Sequence, residues 1–441
     1  MIKIYNTIVS KLDIHTIEVI RKSSASLIVK VLGMIVSLLV SVYLGRTLGA
    51  EGLGVVNLAN RVGSLLLVFT IFGMNNVLVK YISINREKRD FNSIANYIYS
   101  ATKFNGFVAL VIAVLGLLLV PLLVGYVFNE SQLRIPLILA FVMIIPQTYS
   151  RVFASGLIGY KKIWQSNLVE NTLSIWVVGA ILLIIHYSQF DINVENVAMA
   201  YAIGRLVVSF SIFFYWKKIR GYQKDRRTLV LKPMLKMALP MLLVSTSIII
   251  AANADIVMLG WLSDAKQVGL YSVAATLALL TSFFLQLTNS SISPKLASLY
   301  AEGKINELNI LVQRVTSGLI FIAILFVFIF VFLGKYILQL WGDEFDEAFN
   351  ILIILCIGQF VNISTGASGL LLIMCGYEKV HSKISLFFVL LNVVMNYFLI
   401  SNYGAVGAAL STAITEAGIN IVKVIYAKKY VGVLTLPFLK S

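Results

Sequence analysis

Apolar residues in this chain fall into blocks separated by short polar stretches. Twelve are read, near 23–46, 52–79, 104–128, 135–159, 163–187, 195–216, 237–262, 268–293, 311–333, 347–374, 384–401 and 405–427. Crossing a ~30 Å hydrocarbon layer takes about 20 helical residues, so each block predicts one span. The expected fold is an all-α integral membrane protein of 12 helices. Composition agrees: 59% of the 441 residues are hydrophobic and 13% charged, whereas a soluble domain sits near half and a quarter.

Charge sets the orientation. The connections alternate between basic and nearly uncharged. The N-terminus and the stretches 80–103, 160–163, 217–236, 295–314, 376–383 and 423–441 hold most of the Lys and Arg. The other set holds only Arg46, Arg134, Lys266 and Lys335. Positive residues mark the cytoplasmic side, so both termini are expected there. The formal charge of +16 is thus topology, divided among short loops, and does not point to nucleic acid. Residues 1–22 read as an interfacial amphipathic segment and 217–236 as a basic cytoplasmic linker resting on anionic membrane lipids. Residues 428–441 read as a cytoplasmic tail. Cys356 and Cys375 read as small packing residues. The histidines, His15, His186 and His381, form no ligand set, and no metal is expected.

The stretch "LGRTLGAEGLG" at 44–54 returns as "LGWLSDAKQVG" at 259–269. Sliding 44–87 onto 259–302, Leu44, Gly45, Ala50, Gly54, Ala59, Leu65, Phe69, Lys80, Ser83 and Glu87 each meet their own kind. This is an internal repeat with an even number of spans between copies, so both copies cross in the same direction. It predicts two six-helix lobes, 23–216 and 237–427, related by an axis along the membrane normal and enclosing a central cavity. Gly45, Gly54, Gly260 and Gly269 are expected to shape the outer turns. Matched lobes of this kind suggest a transporter.

Charges inside the spans point to what the cavity holds, because an ionisable group at mid-membrane is costly and usually faces a cavity or a partner. The cations are Lys30, Arg61, Arg151 and Arg205, all in the first half; the acids are Glu170, Asp255 and Glu416. Arg61 and Arg205 lie roughly 14–15 Å from their outer helix ends, near the midplane. Lys30 and Arg151 lie nearer the cytoplasm, where snorkelling can rescue them. Helical spacing gives each cation polar company: Ser23, Ser26, Ser37 and Ser41 with Lys30; Asn57, Asn60 and Ser64 with Arg61; Gln147 and Ser155 with Arg151; Tyr201 and Ser209 with Arg205. The functional reading is a cationic cavity for an anionic head group, with amides and hydroxyls for a sugar. The bland one is that each cation pairs with Glu170, Glu416 or a carbonyl and locks helices together. Asp255 and Glu416 are candidates for a coupling proton or sodium ion, or for interhelical hydrogen bonds. Glu170 is equally placed to pair with Arg151 or Lys30.

The order of motifs resembles the polysaccharide-repeat-unit flippases of the multidrug/oligosaccharidyl-lipid/polysaccharide (MOP) exporter superfamily. These motifs are "YLGRTLGAEGLGVVNLANRV", "ALPMLLVSTSIIIAANADIVMLGWLSDAKQVGLYSVA", "SPKLASLYAEGKINEL" and "NYGAVGAALSTAITE", and the resemblance covers nearly the whole chain. It implies a MATE-like pair of lobes in a bacterial cytoplasmic membrane, alternating access driven by ion gradients or membrane potential, and no enzymatic activity. It implies a cargo of undecaprenyl-pyrophosphate-linked oligosaccharide, moved from the inner to the outer leaflet, with a polysaccharide polymerase and chain-length machinery as partners. By position, Lys30 and Arg61 match the family's cavity-facing basic residues; Arg151 and Arg205 match by helix alone. No cofactor is implied beyond a coupling H+ or Na+. A pyrophosphate suits guanidinium groups, which bind it through paired charge-assisted hydrogen bonds. The rival readings are a carrier of peptidoglycan precursors, a multidrug or cation antiporter, and a membrane polysaccharide polymerase. An antiporter for cationic drugs would want acids in the first lobe, and a polymerase a larger outer loop.

Overall fold

A computed structural model describes residues 14–168, 172–188, 191–220 and 227–436, with side chains described from Ile28 onward except at 243 and 244. Glu170, most of the expected interfacial segment, the middle of the 217–236 linker and the last residues of the tail lie outside the described residues. Every element described is helical. In order the α-helices are α1 (Ile14–Ile71), α2 (Met74–Glu87), α3 (Phe91–Leu122), α4 (Arg134–Gly159), α5 (Ile163–Asn167), α6 (Leu173–Tyr187), α7 (Val194–Ile219), α8 (Leu231–Leu262), α9 (Ala265–Ala301), α10 (Ile305–Leu338), α11 (Phe349–Ser364), α12 (Ser368–Met374) and α13 (Glu378–Val431), with short π or 3-10 turns at Leu123–Val127, Ser131–Leu133 and Asp343–Ala348. Side-chain caps start three of them: Asn193 accepts from the Asn196 amide and Asp264 from the Gln267 amide, each at 2.8 Å, and Asp90 from the Ser93 amide at 3.0 Å, which satisfies donors a helix start leaves bare.

Among the described residues 9 helices are long and apolar enough to cross a membrane, against the 12 apolar blocks of the sequence. The difference has a physical reason. The first two blocks run together in α1 and the last two in α13, and Leu173–Tyr187 is apolar but short. Glycine interrupts both merged helices, Gly49 at φ 70° and Gly404 at φ 55°, in a backbone region that side chains with a Cβ rarely enter. In α13 the interruption folds the chain back on itself. The Asn392 amide donates to Ser411 Oγ at 3.3 Å and Thr415 Oγ1 at 3.2 Å. In a straight helix those partners would be separated by roughly 28 Å or more.

The chain divides into two compact units. One comprises Met1–Tyr43, Gly63–Pro121 and Arg134–Thr246; the other comprises Leu44–Val62, Leu122–Leu133 and Ser247–Ser441. The first is built on a core in which Leu78 and Ile82 of α2, Ile94 and Ile98 of α3, Leu157 of α4 and Ile212 and Trp216 of α7 pack together. In the second, Leu296 and Leu299 of α9 meet Leu308 and Val312 of α10, Leu371 of α12 and Val431 of α13. Both units also expose large apolar side chains, among them Phe107, Leu118, Phe210, Phe321, Phe328 and Phe387. On a soluble protein such a surface is an aggregation liability; a lipid-facing helix requires it. Both cysteines are buried and free.

The repeat acquires a structural meaning inside the second unit. A Cβ on Gly54 would collide with the Ala265 carbonyl oxygen and lie 2.8 Å from the Gly269 nitrogen. A Cβ on Gly269 would collide with the Ala50 carbonyl oxygen and lie 2.8 Å from the Ala50 carbonyl carbon. Ala50 and Ala265, like Gly54 and Gly269, are equivalent positions of the repeat. The two copies therefore grip each other reciprocally, α1 against α9, with backbone on backbone. This corrects the role expected for these glycines. Gly45, Gly54, Gly260 and Gly269 stand in helical backbone, Gly45 under the Trp341 ring and Gly260 under Leu58, and the break in the first copy is at Gly49. A small residue is required at these sites for close approach, not for a turn.

Candidate functional site

The most developed polar cluster lies within the second unit and centres on Asp255 of α8. Three side chains donate to its carboxylate. Tyr271 Oη of α9 and Thr412 Oγ1 of α13 reach Oδ2, each at 2.7 Å. Asn396 Nδ2, also of α13, reaches Oδ1 at 2.6 Å. Both carboxylate oxygens are thus engaged by donors. The network continues inward: Asn396 donates to Asn392 Oδ1 at 3.1 Å, and Asn392 bridges the two arms of the folded α13 as described above. Asn396 Oδ1 is buried with no hydrogen-bond partner. An uncompensated buried carbonyl oxygen beside a carboxylate is unfavourable by itself, and it is the kind of ligand a hard cation takes.

Arg61 of α1 enters the same cluster. Its Nη1 donates to Asn253 Oδ1 at 3.3 Å, and Asn253 is fixed by its own bond to the Ile249 carbonyl at 2.7 Å. Asn253 is two residues from Asp255, and Arg61 interacts electrostatically with that carboxylate and with Tyr271. Asn57 and Asn60 stand on α1 within one turn of Arg61, both partly exposed. Glu416 is one turn beyond Thr412 on α13, partly buried, and its main-chain oxygen accepts from Asn420 Nδ2 at 2.9 Å. Asn420 also donates to Asn362 Oδ1 at 3.1 Å, and Asn362 donates to Gln359 Oε1 at 3.0 Å, which ties α13 to α11.

Three of the expected cations belong to the first unit. Lys30 is exposed on α1; Arg151 on α4 and Arg205 on α7 are partly buried. Much of the polar character expected around them is spent on backbone. Ser155 Oγ donates to the Arg151 carbonyl at 2.9 Å and Ser209 Oγ can donate to that of Arg205 at 2.8 Å. Ser150 and Ser209 join α4 to α7 through their hydroxyls at 2.7 Å, and Thr70 and Thr148 join at the same distance.

Sequence reasoning missed several members of the second unit's network. Asn253, Tyr271, Asn392, Asn396 and Thr412 were legible only as polar residues within apolar blocks. The i, i+4 pair Asn392 and Asn396 was the available signal, since two amides one turn apart on an apolar helix need partners. Lys423 was counted with the basic C-terminal segment. It is instead buried to 9% exposure, seven residues after Glu416 on α13, its aliphatic stem against Gly369 beside His381.

The family model described as "Polysaccharide biosynthesis protein" matches residues 19–300, more than half of the chain. The chain belongs to the polysaccharide biosynthesis protein family. The MatE model matches residues 240–398, and membership places the protein among the membrane transporters and flippases of the MOP superfamily. An uncharacterized membrane protein of Methanocaldococcus jannaschii is 22% identical over 400 residues, covering 86% of this chain and 90% of that one. The capsular polysaccharide biosynthesis protein CapF of Staphylococcus aureus is 25% identical over 262 residues, covering 58% and 66%. Among solved structures, the lipid II flippase MurJ in an inward closed conformation superposes with a TM-score of 0.74 at 16% identity, covering 93% of this chain and 87% of that one. An inward-facing MATE multidrug transporter of the MOP superfamily superposes at 0.72 with 15% identity, covering 90% and 94%. At such identities the superpositions establish the MATE-like fold and nothing finer.

Proposed function

We propose that this family member flips undecaprenyl-pyrophosphate-linked oligosaccharide repeat units from the cytoplasmic to the outer leaflet of a bacterial cytoplasmic membrane. In this reading the chain crosses 12 times with both termini in the cytoplasm, and the lobes 23–216 and 237–427 rock about the cavity. The cargo class is supported by the family and by CapF, named for capsular polysaccharide biosynthesis. Arg61, with Asn57 and Asn60 beside it, and Arg205, Arg151 and Lys30 supply positive charge for the pyrophosphate and amides for the sugar. A polysaccharide polymerase and chain-length machinery act on what is delivered. No bond is made or broken, so the work is binding and repacking rather than catalysis.

The observation that carries the mechanism is the Asp255 cluster, reached by Arg61 through Asn253. A carboxylate held by Tyr271, Thr412 and Asn396, with the unpartnered Asn396 Oδ1 beside it, offers a coupling H+ or Na+ one charge and several oxygens. Glu416, one turn further along α13, is a second acid. The coupling ion and Arg61 draw on the same carboxylate, so occupancy at Asp255 alters the field that Arg61 presents to an anion. Such coupling is reciprocal between the two ligands.

The test is complementation of a flippase-deleted strain with wild type, Arg61→Ala and Arg205→Ala at matched membrane levels. Surface polysaccharide and inner-leaflet lipid-linked repeat units are both measured. Restoration by wild type, with lost export and accumulated precursor in both variants, is expected. Full export by both variants would remove the arginines from the cargo site, and failure of wild type would reject the cargo.

A further inference from the structure

The first unit contains a cavity of about 610 Å³ that the account above does not use. It lies among α3, α4 and α7, and its walls include Tyr99, Tyr149, Phe153, Phe210, Phe213 and Trp216. Its volume is within the roughly 300–1,000 Å³ typical of sites for small organic ligands. Two of the hydroxyls on its walls are already engaged. Thr102 Oγ1 bonds the Ile98 and Tyr99 carbonyls at 2.9 Å, and Ser209 Oγ bonds Ser150 and main-chain oxygens. The interior thus offers mainly hydrocarbon and aromatic contact.

One end differs. Lys217, Arg220 and Arg227 line it, and the Tyr99 ring there carries Lys103 Nζ at 5.8 Å and the Arg227 guanidinium at 6.0 Å. Among the described residues no carboxylate makes an ion pair with any of these four cations. A greasy slot closed by positive charge is complementary to a chain that ends in a phosphate. The cluster is also displaced from the cation proposed for the cargo. Lys217 lies twelve residues beyond Arg205 on α7, roughly 18 Å along the axis, so one pyrophosphate cannot engage both ends.

We infer that this cavity is a binding site for an anionic glycerophospholipid, with an acyl chain along α7 and the phosphate among Lys217, Arg220 and Arg227. The site is separate from the cargo cavity, and its occupancy in detergent depends neither on the cargo nor on membrane sidedness. A resident lipid of this kind would brace α3 and α7 through their shared ligand.

Trp216 in the wall provides the measurement. Delipidated full-length protein in non-ionic detergent is titrated with phosphatidylglycerol brominated on its acyl chain, and Trp216→Phe isolates the signal from that ring. Bromo-phosphatidylglycerol is expected to quench Trp216 saturably, and bromo-phosphatidylcholine at the same mole fraction much less. Lys217→Gln/Arg220→Gln/Arg227→Gln should raise the half-quenching concentration roughly 100-fold, from about one factor of five per basic group. Thr102→Phe, which fills the slot and leaves the cations, should abolish quenching while the protein remains monodisperse with an unchanged melting temperature. Equal quenching by the two phospholipids, or an unchanged titration in the triple variant, would overturn the inference. So would displacement of phosphatidylglycerol by equimolar undecaprenyl phosphate, which would assign the slot to a polyprenyl chain.

Discussion

The two units handle polar groups inside an apolar protein in opposite ways. In the first unit the hydroxyls of Thr70, Thr148, Ser150 and Ser209 satisfy one another and nearby carbonyls, so each pair closes on itself. In the second unit the polar groups gather round a charge: Tyr271, Thr412 and Asn396 donate to Asp255, Arg61 donates to Asn253 two residues away, and Asn396 Oδ1 is left unsatisfied. Closed pairs act as stitches between helices. A cluster with a formal charge at its centre is a poor stitch, because buried charge is stabilising only with full compensation. The difference teaches where to look for function: at the buried carboxylate of the second unit, on which donors from α9 and α13 converge.

The largest effect should come from the reciprocal helix contact, which underlies the second unit's geometry. Gly54→Val sets a branched side chain against the Ala265 carbonyl and is expected to lower stability by about 3 kcal/mol, read as a drop in melting temperature in detergent. Gly269→Val, its repeat equivalent, should do the same, and a tolerant variant at either site would break the claim of reciprocity. Next comes Asp255→Asn, which keeps the shape and removes the charge. Export should fall about tenfold or more, from loss of charge-assisted bonds and of the proposed ion site, at unchanged membrane levels. The matching change in the first unit, Ser150→Ala, removes one closed hydroxyl pair. It should lower stability by about 1 kcal/mol with export preserved. If Ser150→Ala stopped export as Asp255→Asn does, the contrast between the units would fail.

The smallest effect is expected at the surface. Lys161 Nζ sits 2.8 Å from Glu87 Oε1, both largely exposed, and that hydrogen bond holds the Glu87 carboxyl below its usual range. A depressed carboxylate contributes above its unfolded pKa, and the contribution is lost as pH falls through the folded value. Solvent screening makes it slight, so Glu87→Gln should leave the melting temperature between pH 4 and pH 7 unchanged within error.

How much of this was legible in the sequence follows from what each property depends on. Span positions depend on local hydropathy, and among the described residues the apolar blocks fall largely in helices, 9 of which are long enough to cross a membrane. Whether two blocks become one helix depends on the glycine backbone at Gly49 and Gly404, which composition does not reveal. The repeat was legible as identities at a fixed offset. Its purpose was not, because the approach of Ala50 to Gly269 is a distance between segments far apart in the chain. Asp255, Arg61 and Glu416 were legible as charges out of place. Their neighbours were not, since Asn396 and Thr412 come from opposite arms of α13 and meet Asp255 only after the chain folds back. Lys423 was hidden by Lys428 and Lys429, whose company made a buried cation look like part of a solvated tail.

The central claim is that the Asp255 cluster binds the coupling ion. Its most direct test is the melting temperature of purified wild type and Asp255→Asn, with Na+ or choline at constant ionic strength, from pH 5 to pH 8. A ligand that binds only the folded state raises stability with its concentration. The account predicts a saturating rise in wild type with Na+, or with protons if H+ is the ion, and no such rise in Asp255→Asn. An identical response in the two proteins, or no response to either ion in wild type, would contradict it.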